Sequence, residues 1–316
     1  MNSHLVVRAA ALALAILGLT TVGAQENPFL GRWNLTGTGA NSTNVYWLEI
    51  KDDGGQLTGM FLNRGGHPLK LATVRIGNGE LIFQPAPPSS GTAPEYHARL
   101  QGDKLTGSVK LGERTVEFIG VRPPKWPAAN ANAAHRFGTP VELFDGKSMD
   151  AWDVQNKNRP IGWSVVDGAM TNTPPANNLI SKQKFQDFKI HAEYKLEQNS
   201  NSGIYLRGRY ELQVLDDFGK EPFDRSHMSI YGWHAPAVNA SKPAGEWQWM
   251  EATIVGNKVT VILNGKKVHD NATLEAITGG ALDANESEPG PVTIQGDHEK
   301  VTYRKVTVTP ITDARK

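Results

Sequence analysis

Apolar and polar residues alternate in short runs along most of this chain, and the runs end at Gly, Asn or Asp. A period of two admits β-strands and leaves little room for amphipathic helices. The alternation is strictest over residues 202–216, S-G-I-Y-L-R-G-R-Y-E-L-Q-V-L-D. Read as one extended strand, it puts Leu206, Gly208, Tyr210, Leu212 and Val214 on one face and Arg207, Arg209, Glu211 and Gln213 on the other. Four long polar side chains cost a sheet apolar packing, so their face is expected to meet water or to line a cleft. Charges of both signs, in surroundings rich in Trp, Tyr, Asn and Gly, favour the cleft.

The same period divides the chain. Alternating runs at 45–50, 57–62, 69–76, 80–84, 96–100, 104–109 and 115–121 are separated by turn sequences such as D-D-G-G at 52–55 and G-N-G at 77–79. So many short strands within residues 25–124 are expected to close into a small β-barrel or sandwich, which removes exposed edges. Gly31-Arg32-Trp33 is similar to the G-x-W of lipocalin-like barrels, and Trp33 is expected to pack rather than bind. Residues 123–138, P-P-K-W-P-A-A-N-A-N-A-A-H-R-F-G, have the composition of a linker, placed at 125–138. From 139 to 316 strands are expected at 163–166, 188–196, 203–215, 249–255, 258–263, 292–295 and 301–309, with hairpin turns at Gly256-Asn257 and Asn264-Gly265. The fold class is all-β, with a second domain that is a jelly-roll sandwich of two stacked antiparallel sheets. The nearly continuous apolar run 259–263 suits a strand buried on both faces.

Composition narrows the partners. The formal charge is +1 over 316 residues, which gives no field for nucleic acid or an acidic membrane surface. Residues 1–24 have a basic start at Arg8, an apolar run from 9 to 19 and V-G-A before the expected cleavage point, the pattern of a secretory signal peptide. That run is shorter than the roughly 20 residues that span a bilayer, so a periplasmic or secreted protein without a membrane span is expected. Absence of cysteine excludes disulfides, thiol chemistry and Cys-held metals.

Five motifs occur in order: L-F-D-G-K at 143–147, G-W-S-V-V-D-G at 162–168, the stretch 201–216, N-A-S-K-P-A-G-E-W at 239–247 and G-P-V-T-I-Q-G-D-H at 290–298. Across residues 141–310 the chain thereby resembles the 3-keto-disaccharide hydrolase domain family. The resemblance implies a concanavalin-like sandwich related to laminarinase-type glycoside hydrolases, with a small carbohydrate as partner in a sugar-sized cleft. The first domain lies outside it.

Laminarinase-type enzymes carry E-x-D-x-x-E on a bulged strand, and here those positions read Glu211, Gln213 and Asp216. Without a bulge Asp216 points away from Glu211. A retaining glycosidase needs two carboxyl groups about 5–5.5 Å apart, one of them protonated, and Arg207 and Arg209 beside Glu211 are expected to hold its proton off. A 3-keto sugar offers elimination instead, because the ketone acidifies the hydrogen on C2. Ionised Glu211 or Glu193 would serve as base, with Arg207, Arg209 and Gln213 binding substrate. Glu193 shares a polar strand face with Lys189, His191 and Lys195. His298 is a candidate proton carrier, and Tyr231 and Trp233 are candidates for stacking on sugar, whereas Trp247 and Trp249 are assigned to core packing. Asp216, Asp217, His227 and His298 show no metal-ligand spacing, so no cofactor is predicted and a divalent metal stays open. The expectation is an exported enzyme cleaving 3-keto glycosides by elimination or hydrolysis. A lectin-like binding protein and a cell-envelope interaction protein are the alternatives.

Overall fold

The computed structural model describes residues 27–87 and 92–313; the signal peptide expected at 1–24 lies outside them. Eight antiparallel strands close a barrel: β1 Gly31–Gly37, β2 Val45–Asp53, β3 Gln56–Leu62, β4 Leu69–Gly77, β5 Glu80–Pro85, β6 Tyr96–Gln101, β7 Lys104–Leu111 and β8 Arg114–Val121. Consecutive strands pair, and β1 returns to β8, so no edge is left open. The inward positions are large and apolar. Phe61, Phe83, Tyr96 and Phe118 form a ring cluster with centroids 4.8–6.0 Å apart, which fills the interior as a core. Trp33 is buried there, its indole N–H bonded to the Phe29 carbonyl.

The second unit comprises β9 Val141–Phe144, β10 Trp152–Val154, β11 Trp163–Val166, β12 Ala169–Asn172, β13 Leu179–Phe185, β14 Phe188–Leu196, β15 Asn201–Leu206, β16 Tyr210–Leu215, β17 Trp247–Val255, β18 Lys258–Leu263, β19 Lys266–Thr273, β20 Gly290–Ile294 and β21 Val301–Pro310. They form a five-stranded sheet ordered β10-β13-β20-β15-β16 and an eight-stranded one ordered β11-β12-β21-β14-β17-β18-β19, with β9 pairing β21. Side chains alternating inward from both sheets make one core: Ile204, Leu206, Tyr210 and Leu212 from the smaller sheet meet Phe188, Ile190, Met250 and Val261 from the larger. This is the jelly-roll sandwich expected from the sequence. Among the described residues no helix is long and apolar enough to cross a membrane.

The stretch read as a single strand is a hairpin. β15 and β16 pair from Leu206↔Tyr210 to Asn201↔Leu215, around a turn in which Arg207 and Gly208 take φ values of 54° and 66°. Alternation could not reveal this. Leu206 and Tyr210 are four positions apart and Tyr205 and Glu211 six, so cross-strand partners on a common face keep the parity of an unbroken strand.

Residues of the expected linker are strapped to the sandwich. Asn132 accepts a hydrogen bond from Thr260 and donates to Asp270, and the Ala131 N–H donates to Asn271. Composition suggests flexibility there; three specific hydrogen bonds oppose it. The strap also explains why Thr260 of β18 is buried although it points away from the core of the sandwich.

The barrel is seated on the sandwich through Val45, Trp47 and Leu62, which pack against Ala276, Ile277 and Ala281. Around this seam Arg32 bridges Glu49 and Glu275 at 3.0 Å each. The buried Glu286 carboxyl receives Asn34 from the barrel at 2.7 Å and the Tyr210 hydroxyl at 2.8 Å.

Candidate functional site

A cleft of about 1090 Å³ opens on the outer face of the five-stranded sheet. Its floor is Tyr205 of β15, Glu211 and Gln213 of β16, and Thr293 of β20, with Gln295 just beyond. These positions alternate with the core residues of the same strands, so one period-two pattern supplies both the core and the floor. The walls are connecting segments: residues 155–159, 176–178, 279–282 and 297–298 from the sandwich, and Thr43 and 64–66 from the barrel.

Glu211 is the central acid. It is only 4% exposed, and burial pushes its pKa up to about 8 against the pull of a Tyr205 hydrogen bond and nearby His298, so the carboxyl is mostly protonated at neutral pH. The Tyr205 hydroxyl lies 2.9 Å from Glu211 Oε2 and 3.0 Å from the Gly279 carbonyl oxygen. Room for the Glu211 side chain comes from Gly203, its neighbour on β15: any Cβ there would collide with Glu211 Oε1. A glycine inside a strand weakens it, and this one marks a close approach.

His298 Nδ1 and Asp297 Oδ1 are 2.9 Å apart at the cleft wall. Their hydrogen bond is the main cause of a raised His298 pKa and a lowered Asp297 pKa, as for an imidazolium and carboxylate that stabilise one another. Tyr231 is half-buried in the same cleft. The structure thus brings Glu211, Gln213, Tyr231 and His298 together.

The other candidate residues lie elsewhere. Because the chain turns at Arg207–Arg209, both arginines leave the cleft. Arg207 donates to Asp187 at 2.9 Å and to the Gln186 carbonyl; Arg209 donates to Asp283 at 2.6 Å and to the Glu288 carbonyl at 2.8 Å. Neither holds the Glu211 proton off, and its pKa moves in the direction opposite to the one expected from the sequence. Asp216 follows β16, whose register with β15 runs without a bulge. It accepts the Asn199 N–H and faces a separate hollow beside Glu197 and Phe218. Glu193 is on the outer face of the larger sheet, bound to Arg304 at 2.5 Å and within 3.3 Å of His191. Trp233 packs edge-on against Trp47 at 4.9 Å in the barrel seam. Trp247 and Trp249 also lie on the outer face of the larger sheet, under Arg304 and against His191, rather than in the core.

The groups weighed as metal ligands do not gather. His227 is buried with its pKa driven down to about 3 by desolvation. Its Nδ1 accepts the Leu215 N–H, which puts the ring proton on Nε2, facing the Tyr194 hydroxyl at 2.7 Å. Asp217 accepts from the His227 N–H and Asn239. Among the described residues no three His, Asp or Glu side chains converge on one point.

Sequence reasoning missed Tyr205, Asp297 and the barrel residues of the wall. Tyr205 was within reach, since recognising R-G as a turn pairs it with Glu211. Wall residues contributed by other segments leave no local pattern.

The profile of the 3-keto-alpha-glucoside-1,2-lyase-like domain matches residues 139–309. The chain is 26% identical over 159 residues to a 3-keto-disaccharide hydrolase of Bacteroides thetaiotaomicron, a match covering 39% of this chain and 54% of that protein. It therefore spans about half the length of this curated relative. A crystal structure from Parabacteroides distasonis, named provisionally as a glycosyl hydrolase, aligns at 26% identity and a TM-score of 0.49 over 60% of this chain and 94% of its own. A Bacillus licheniformis beta-glucanase aligns at 14% identity and a TM-score of 0.37, over 57% and 100% of the two chains.

Proposed function

Because the chain belongs to the 3-keto-alpha-glucoside-1,2-lyase-like domain family, whose profile matches over half of it, we propose that it is an exported carbohydrate-active enzyme cleaving 3-keto glycosides by elimination. Water addition then completes a net hydrolysis. The observation that carries this reading is one cleft holding a carboxyl kept neutral by burial, Glu211, and a hydrogen-bonded His298–Asp297 pair. Burial leaves the Glu211 carboxyl with a proton to donate at neutral pH, and the hydrogen bond to Asp297 orients the His298 ring for proton transfer.

In the proposed reaction the neutral fraction of His298, made more basic by Asp297, removes the proton on C2 beside the C3 ketone. The electron pair passes into the enolate and returns to form C1=C2 as the bond from C1 to the glycosidic oxygen breaks. That oxygen takes the Glu211 proton and departs as an alcohol. Water adding across C1=C2 restores a proton at C2 and a hydroxyl at C1, His298 releases to solvent the proton it took, and the Glu211 carboxylate recovers one from solvent. This reverses the role first expected for Glu211: it serves as the acid and His298 as the base. The apolar leader at residues 1–24 supports export.

The test is turnover of a 3-keto disaccharide in D2O, with the unoxidised sugar and an enzyme-free sample as controls. Elimination with water addition places solvent deuterium at C2 of the released keto sugar, whereas direct displacement retains the original hydrogen. Release without deuterium would overturn elimination, and equal release from the unoxidised sugar would overturn the 3-keto specificity. Binding without release from either would replace the enzyme with a lectin-like protein.

A further inference from the structure

The barrel is outside the matched family region of residues 139–309, yet it forms part of the cleft. Its β3–β4 loop brings Arg64, Gly65 and Gly66 to the wall, and Thr43, just before β2, joins them. The loop is fixed there. The Gly280 N–H donates to the Arg64 carbonyl at 2.8 Å, and a Cβ at Gly279 would collide with the Gly66 carbonyl oxygen. On its other side the same segment accepts the Tyr205 hydroxyl at the Gly279 carbonyl. The barrel loop therefore abuts the backbone that the central acid's partner touches.

Arg64 is exposed, and among the described residues its guanidinium has no ion-pair or hydrogen-bond partner. A guanidinium is permanently charged, offers five donors and accepts nothing, so it suits a surface dense in oxygen acceptors, such as a sugar. The cleft, at about 1090 Å³, is slightly above the roughly 300–1,000 Å³ usual for one drug-sized ligand. That leaves space for a second ring beside the one that reacts. In the reaction proposed above the reacting ring lies against Glu211 and His298 on the sandwich, whereas Arg64 comes from the opposing domain.

We propose that the barrel loop is a substrate-binding wall, and that Arg64 holds the sugar unit remote from the reacting ring and so selects 3-keto disaccharides over single-ring glycosides. This rests on the catalytic reading above and assigns the barrel a role in it.

The experiment compares Arg64→Ala with wild type on a 3-keto disaccharide and a methyl 3-keto glucoside. Loss of a charge-assisted hydrogen bond should raise KM for the disaccharide roughly tenfold or more. It should leave kcat for both, and KM for the methyl glucoside, within about twofold, because the interaction acts on binding of the remote ring alone. An unchanged disaccharide KM would overturn the assignment, as would an equal rise for both substrates. Calorimetric titration with the unoxidised disaccharide separates the two readings. If wild type turns nothing over but binds the disaccharide at least about tenfold more tightly than Arg64→Ala, the catalytic reading fails and the wall stands. If turnover is present and Arg64→Ala matches wild type in both assays, the wall alone fails.

Discussion

The Tyr205 hydroxyl stands 2.9 Å from Glu211 Oε2 while also reaching the Gly279 carbonyl at 3.0 Å, and it carries one proton for two acceptors. While Glu211 is protonated the tyrosyl proton is free to go to Gly279, whereas donation to Glu211 favours its carboxylate and so pulls the pKa down against burial. When Glu211 ionises, the hydroxyl must turn to the carboxylate, and the Gly279 carbonyl loses its donor. The charge of the central acid is thereby coupled to the segment on which the barrel rests.

Tyr205→Phe tests that coupling. The Tyr205 hydrogen bond lowers the Glu211 pKa, so its loss should raise that pKa and move the alkaline limb of the kcat profile to higher pH. The kcat at neutral pH should fall by roughly one order of magnitude as the acid loses its orientation. A pH–rate profile is the measurement, and an unmoved alkaline limb would count against Glu211 as the acid.

Stability should also report the Glu211 proton. Its folded pKa of about 8 lies above the ordinary 4.5, so the folded chain holds the proton more tightly than the unfolded one. The resulting stabilisation is complete below the unfolded value and is lost as pH rises through about 8. Glu211→Gln has no proton to lose, so its melting temperature should fall less than that of wild type between about pH 6 and about pH 9. Its turnover should fall by roughly two or more orders of magnitude. Parallel melting curves across that range would refute a neutral, buried Glu211.

Gly203→Ala should act on Glu211 from the neighbouring strand. The added methyl would meet Glu211 Oε1 and would lie 3.0 Å from its Cδ, forcing the carboxyl to move. A stability loss of about 1–3 kcal/mol is expected from overpacking, with a drop in kcat of roughly tenfold or more. Kinetics alongside chemical denaturation would decide, and a fully active variant would show that the carboxyl position is not critical.

Cleavage within residues 123–138 should not separate the barrel from the sandwich. The apolar seam, the Arg32–Glu275 bridge and the Asn34–Glu286 hydrogen bond all cross between them, and the strap itself is bonded at Asn132. Nicked protein should elute as one species and melt in a single transition. Two separately eluting domains would show that the seam is too weak to position the barrel loop.

The sequence by itself determined the strand content, the two β units and the alternation that sends Leu212 and Val214 to the core and Glu211 and Gln213 to the opposite face. Each of these follows from a period of two and from turn residues, which are properties of neighbours along the chain. It also carried the motifs that identify the family. Tertiary structure decided what the polar face meets. The turn at Arg207–Arg209 is silent in the pattern because paired residues keep their parity, so a hairpin and a longer strand read alike, and with it went the expected placement of the arginines. The Glu211 proton depends on burial beneath walls drawn from distant segments, and desolvation is a property of the three-dimensional surroundings that no local spacing encodes. Arg64 reaches the cleft only because a barrel seats itself on the sandwich, through contacts between residues more than two hundred positions apart.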